Sequence, residues 1–152
     1  EIDRPGTLDE VIVRVEIRNG RGEPAARFRA GEEMAIRFHV VFHEPVEQFV
    51  LGNIFRNKWG LHVYGTNMEW EGLPIRDYPA GTKLAVVFRQ KADFASGTYS
   101  LNPAASSRIG PDQYRTLDWI NNAAIVEVEN PRRMEGYVSL PTEITVEKIV
   151  DG

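Results

Sequence analysis

The sequence predicts an all-β domain, a sandwich or barrel of short antiparallel strands. Apolar and polar residues alternate with period two from one end of the chain to the other, the mark of half-buried strands. Turn residues recur at roughly ten-residue spacing, which suits a sandwich or barrel and not βαβ units. No long stretch carries the 3.6-residue period of an amphipathic helix. With 152 residues the chain is long enough for one sizeable core, and it reads as a single domain over 1–152.

The first strand is set by Val11, Val13, Val15 and Ile17 on one face, against Ile12, Arg14, Glu16 and Arg18 on the other. Asn19-Gly20-Arg21-Gly22 then supplies two glycines able to take positive φ, so a turn follows. Met34, Ile36, Phe38, Val40 and Phe42 alternate with Ala35, Arg37, His39, Val41 and His43. They predict the longest and most regular strand, ended by Pro45. Shorter strands are expected over 49–57 and 61–66, on either side of Lys58-Trp59-Gly60. Leu84, Val86 and Phe88 define another, Tyr99 and Leu101 begin the next, and Ala124, Val126 and Val128 give a late one. Segments 137–140 and 144–149 are predicted to close the chain as strands. Two long irregular stretches, 67–82 and 103–122, are expected as loops, with a single helical turn allowed over 112–122.

Composition narrows the function. An apolar share of 42% and a charged share of 26% are those of a globular protein, with no run long enough to span a membrane as a helix. The net charge of −4 and pI near 5.4 argue against nucleic acid, which requires a clustered excess of Lys and Arg. With no cysteine there is neither disulfide nor thiolate chemistry, which fits a reducing compartment. Glu1 in place of an initiating Met predicts a processed chain or a fragment, and no signal peptide is visible.

Catalytic signatures are missing. Ala80-Gly81-Thr82-Lys83 does not complete a phosphate-binding loop, and no G-x-S-x-G places an activated serine. His39 and His43 are four apart, but in a strand that separation is roughly 13 Å, too far for one zinc ion. Glu69, Glu71 and Asp77 offer carboxylate pairs of the kind glycosidases use. A chain with 22 acidic residues always offers such pairs, and solvated loop charges explain them. No catalytic residue, metal or cofactor is expected.

One stretch is more specific. Gly52-Asn53-Ile54-Phe55-Arg56-Asn57-Lys58-Trp59-Gly60-Leu61-His62-Val63-Tyr64-Gly65-Thr66-Asn67 resembles the central motif of the C-terminal domain of Wzt, the ATPase subunit of ABC transporters that export O-antigen polysaccharide. Other landmarks follow in the family's order. They are Pro5-Gly6-Thr7, Phe28-Arg29-Ala30-Gly31-Glu32, Ser96-Gly97-Thr98-Tyr99, the segment from Asp118 to Ala123, and Gly136-Tyr137-Val138-Ser139-Leu140-Pro141. The chain departs from the pattern at Asn53, where an apolar residue is usual, and at Met68, where the motif continues with Thr. The resemblance implies an antiparallel β-sandwich of jelly-roll-like or immunoglobulin-like type that forms a homodimer. It implies a cytoplasmic module, peripheral to the inner membrane, that binds O-antigen polysaccharide by a feature of its non-reducing end. Its further partners would be its own N-terminal ATPase domain, joined through residues 1–10 as a linker, and the membrane channel subunit. An immunoglobulin-like structural or adhesin-type interaction domain without a glycan ligand is the competing expectation.

Sugar rings present a polar edge and an apolar C–H face, so sites pair flat aromatics with directional hydrogen-bonding groups. Arg56, His62 and Tyr64 are expected to point outward if Leu51, Phe55 and Val63 point inward, with Asn102 joining from a third strand. Trp59, Trp70, Tyr114 and Trp119 are candidate loop aromatics around them. Trp119 suits either a plug at the sandwich end or sugar contact, and Tyr99 reads as a core or corner tyrosine. A second face, with Arg37, His39 and His43 opposite Arg89, is the alternative binding, solvated or dimer surface.

Overall fold

The computed structural model describes residues 10–149. Among them there is no helix, and nine strands form two sheets packed face to face. The smaller sheet has β3 (Glu33–Val41) between β1 (Ile12–Asn19) and β6 (Lys83–Lys91), both antiparallel to it. Met34, Ile36, Phe38 and Val40 all enter the core, as their alternation predicts. In β1 the predicted phase is overturned at its start. A bulge between Ile12 and Arg14 reverses the parity, so Ile12 is 1% exposed and Val13 48%. The buried carboxylate of Asp118 fixes this entry by accepting from the Val11 and Ile12 amides at 2.9 and 2.8 Å.

The larger sheet runs β2 (Arg27–Arg29), β9 (Ala124–Glu129), β7 (Gly97–Gly110), β4 (Phe49–Arg56), β5 (His62–Asn67), with β8 (Gln113–Trp119) also on β7. The longest strand is β7, not the predicted 34–42 strand. One edge of β7 pairs with β4 throughout its middle, while the other takes β9 along Gly97–Leu101 and then β8 from Ala104 onward. The expected 103–122 loop is therefore a β-hairpin, and the allowed helical turn over 112–122 does not form. Its small residues hide the strand pattern, and Pro103 reads as a breaker. Pro103 falls in the gap where β7 changes partner, where a missing ladder donor is tolerated.

Aromatic rings fill the core between the sheets. Phe42, Phe49 and Tyr78 cluster at one end, and Phe55, Phe94 and Tyr99 at the other. Tyr99 is the expected buried corner, donating its hydroxyl to the Ala95 carbonyl at 2.6 Å. Asn53, the departure from the family pattern, is buried on the same side. Its Oδ1 accepts the Asn102 amide at 3.0 Å, next to the partner-switch gap in β7.

The predicted closing strands are not formed. Segment 137–140 makes one bridge, Phe94 with Val138, and 144–149 lies unpaired with Ile144, Val146 and Ile149 exposed. Alternation favours an extended chain, but a strand needs a paired edge, and 144–149 pairs with no strand among the described residues. The expected linker over residues 1–10 lies, except for Glu10, outside the described residues. No helix among the described residues is long and apolar enough to cross a membrane.

Candidate functional site: a groove on the outer face of the larger sheet

Sheet register decides which side chains share the outer face. Val50, Gly52 and Ile54 of β4 pair with Ser106, Ala104 and Asn102 of β7, opposite to the core-facing Phe49, Leu51, Asn53 and Phe55. Across the next edges, Gly52 pairs with Asn67 of β5, and Ala104 and Ser106 with Trp119 and Thr116 of β8. Small residues thus occupy the middle of the face and large ones its rim. The result is a groove of about 640 Å³. Gly52 is required there. A Cβ at this position would lie 2.9 Å from Asn67 Cβ and 3.1 Å from the Thr66 carbonyl oxygen.

The wall at one end is a network of loops and strands. Asn67 Oδ1 accepts the Trp70 amide at 2.9 Å and starts the tight turn that carries Trp70. Glu69, in that turn, accepts a short 2.5 Å hydrogen bond from the Tyr114 hydroxyl and forms an ion pair with Arg108. The Trp70 indole nitrogen donates to Asp112 Oδ1 at 2.9 Å, joining the turn to the β7–β8 corner. Trp70 is nevertheless 60% exposed, so its ring is held in place while its face stays open. Burial, reinforced by the Glu69 hydrogen bond and charge, pushes the Tyr114 hydroxyl up to about 12. It therefore remains a neutral donor over any physiological range.

The opposite end brings together Arg56, His62 and Trp119. Arg56 pairs in register with His62, lies 6.0 Å from the centre of the Trp119 ring, and donates from Nη1 to Asn121 Oδ1 at 3.2 Å. This is a cation over an aromatic face. Arg56 stands beside the groove lining; His62, Tyr64, Trp70, Asn102, Tyr114 and Trp119 belong to it.

Three predicted residues take different positions from those expected. A bulge at Val63 sets Tyr64 opposite Phe55, so Tyr64 stands at the open sheet edge and faces both this groove and the cleft toward β6. Asn102 is 1% exposed and its amide is spent within the protein. Nδ2 donates to the Ile54 and Ser100 carbonyls, and Oδ1 accepts the Asn122 amide. It builds the floor. Trp59 lies at the β4–β5 hairpin tip, 73% exposed under the Lys58 ammonium, away from the groove. The floor residues Ala104 and Ser106 and the wall residues Asp112 and Thr116 were not legible as candidates in the sequence, while Gly52 and Gly65 stood out only as part of the family motif and Glu69 only as a carboxylate. The signal that could have found them is a set of small residues at alternate positions of neighbouring strands.

The carboxylates considered for hydrolysis have structural partners. Glu69 is engaged as above, Glu71 accepts from Thr66 Oγ1 at 2.9 Å, and Asp77 accepts the Gln48 amide at 2.8 Å. No group of three metal-ligating side chains occurs among the described residues. Arg37 and Arg89 line a separate depression on the outer face of the smaller sheet.

No protein of curated function matches the chain. Among solved structures, the chain is similar to one described as the crystal structure of the C-terminal domain of Wzt. The TM-score is 0.84 at 22% identity, covering 97% of this chain and 89% of that one. At that identity the match establishes a shared all-β sandwich fold. The family model "Wzt C-terminal domain" matches residues 1–140. That match spans most of the chain and includes the 52–67 motif, and the chain belongs to the Wzt C-terminal domain family.

Proposed function

We propose that this domain binds O-antigen polysaccharide without altering it, and that the groove on the larger sheet holds the glycan. The observation that carries the reading is the open Trp70 face, fixed by Asp112 and flanked by Tyr114, with a floor of small residues between it and Trp119 at the other end. A pyranose ring lays its C–H face on such an indole, while neighbouring hydroxyls meet Asn67, Thr116 and His62. Recognition of a feature at the non-reducing end accords with a bounded groove in place of a long flat track. Every carboxylate that a glycosidase reading would recruit already serves the protein's own structure, which favours binding over hydrolysis.

In this reading the domain serves an ABC exporter. Its partners are its own N-terminal ATPase domain and a membrane channel subunit, and it works in the cytoplasm at the inner membrane. The homodimer is supported by the exposed apolar side chains of 144–149, which pair with no strand among the described residues. Calorimetric titration with the O-polysaccharide of the producing cell tests the glycan reading. Saturable heat that disappears in Trp70→Ala is expected, with no shortening of the chains after a day's incubation. An absence of binding in the wild type, or shortened chains, sinks it.

A further inference from the structure

The outer face of the smaller sheet is built differently from the groove. Register sets Arg14 beside His39, Glu16 beside Arg37, and Arg18 beside Ala35. On the other side Ala35 pairs with Arg89 and Glu33 with Lys91. Ala35 is therefore a low point between two arginines, with Arg37 next along its own strand face. These residues line a depression of about 590 Å³ on the opposite side of the sandwich from the groove.

Charge on this face runs against the molecule. Arg14, Arg18, Arg37, Arg89 and Lys91 face only Glu16 and Glu33, on a chain of net charge −4. Glu16 is held by Arg14 at 2.6 Å and by Arg18 at 3.3 Å. Burial pushes its carboxyl up, but the two arginines and His39 outweigh that, so the group lies below its ordinary value and stays charged. Glu33 has Lys91 as its cross-strand neighbour. Arg37 and Arg89 are left over, exposed, with no ion pair or hydrogen bond to another described residue.

We propose that the arginine-walled depression over Ala35 is a second binding site, for a phosphoryl group. A carboxylate carries one charge and two oxygens, which a single guanidinium fork satisfies. A phosphate monoester carries nearly two charges and three acceptor oxygens, matching two unpaired forks with Arg18 at the side. A flat strand face with a one-residue recess admits such a group, whether free or at the head of an anionic lipid.

The test uses the 152-residue chain. Inorganic pyrophosphate is titrated with amide chemical shifts as readout, and co-sedimentation is run with vesicles of phosphatidic acid, whose headgroup is a phosphomonoester, in phosphatidylcholine. Saturable shifts centred on Ala35, Arg37 and Arg89 are expected. Arg37→Ala and Arg89→Ala each weaken binding about tenfold, the worth of one charge-assisted hydrogen bond. Lysine at both positions keeps the charge but loses the fork, and recovers part of the affinity. Trp70→Ala, on the opposite face, leaves this binding unchanged. Shifts with pyrophosphate alone assign the site to a soluble phosphoryl ligand, and vesicle binding lost in the arginine variants assigns it to a lipid headgroup. Binding in neither arm, or equal binding by the Arg37→Ala/Arg89→Ala double variant, overturns the proposal. Both side chains are exposed, so unchanged melting temperatures will show that the variants fold.

Discussion

Glu69 shows how a single side chain sets the geometry of the groove wall. Its carboxylate ties the Trp70 turn to Tyr114 and Arg108 on the β7–β8 hairpin, so it positions aromatics that themselves meet the ligand. Replacing Trp70 by Ala should weaken glycan binding by about 1–2 kcal/mol, the worth of a lost stacking platform. The melting temperature should stay near wild type, because the indole is 60% exposed. Calorimetry beside a thermal melt separates the two effects. Tyr114 gives a pH prediction with a definite sign. Its hydroxyl is raised from 10.0 to about 12 in the folded state, so the native protein holds the proton more tightly than the unfolded chain. Stability from this source is complete below pH 10, and is lost as pH rises through 12. Urea unfolding across that window should show the decline, and Tyr114→Phe should flatten it.

At the scale of elements, β7 is the spine of the larger sheet and the bulge at the start of β1 is its link to the other sheet. Asp118, on β8, reaches across to accept both the Val11 and Ile12 amides. Asp118→Ala orphans two buried donors and removes a charged acceptor, which should cost about 3 kcal/mol or more. Asp118→Asn keeps one oxygen for the same amides and should cost clearly less. Urea midpoints for the pair decide it, and equal loss in both would show that charge, not the acceptor oxygen, holds the bulge. Gly52→Ala tests how closely β4 and β5 approach. The added methyl meets Asn67 and the Thr66 carbonyl, so a loss of roughly 1–3 kcal/mol is expected, read as a lower melting temperature.

For the whole molecule, the unresolved need is burial of the tail. Ile144, Val146 and Ile149 are 83%, 93% and 88% exposed, and the alternation of Ile144 and Val146 with Thr145 and Glu147 suits a strand that completes a neighbour's sheet. Exchange of such a terminal segment between two copies costs little, since the same contacts form either way. Truncation after Leu140 keeps the Phe94–Val138 bridge and removes the exposed apolar residues. Light scattering should then report a monomer with a melting temperature close to that of the intact chain. Truncation after Asn130 should in addition uncover the buried Phe94 ring and lower stability. An intact chain that is monomeric at high concentration would remove the dimer and the exchange together.

The alternation of Met34, Ile36, Phe38 and Val40 determined both their strand and their burial, because period two in a half-buried sheet leaves one choice of face. Trp70, Tyr114 and Trp119 were legible as candidates for a shared surface, since large aromatics among polar residues invite a ligand, and all three line the one groove. Three things were decided only in tertiary structure. The β1 bulge reversed Val13 and Ile12, because Asp118, over a hundred residues away in sequence, supplies the acceptor that makes the irregular entry stable. Segment 103–122 became a hairpin because small side chains, silent as a hydrophobic pattern, are what an outer face needs beneath a groove. Asn102 lost its hydrogen-bonding capacity to Ile54, Ser100 and Asn122, which no local pattern announces. Periodicity reports which face of a strand is apolar; only the pairing of strands says what each polar group has left to give.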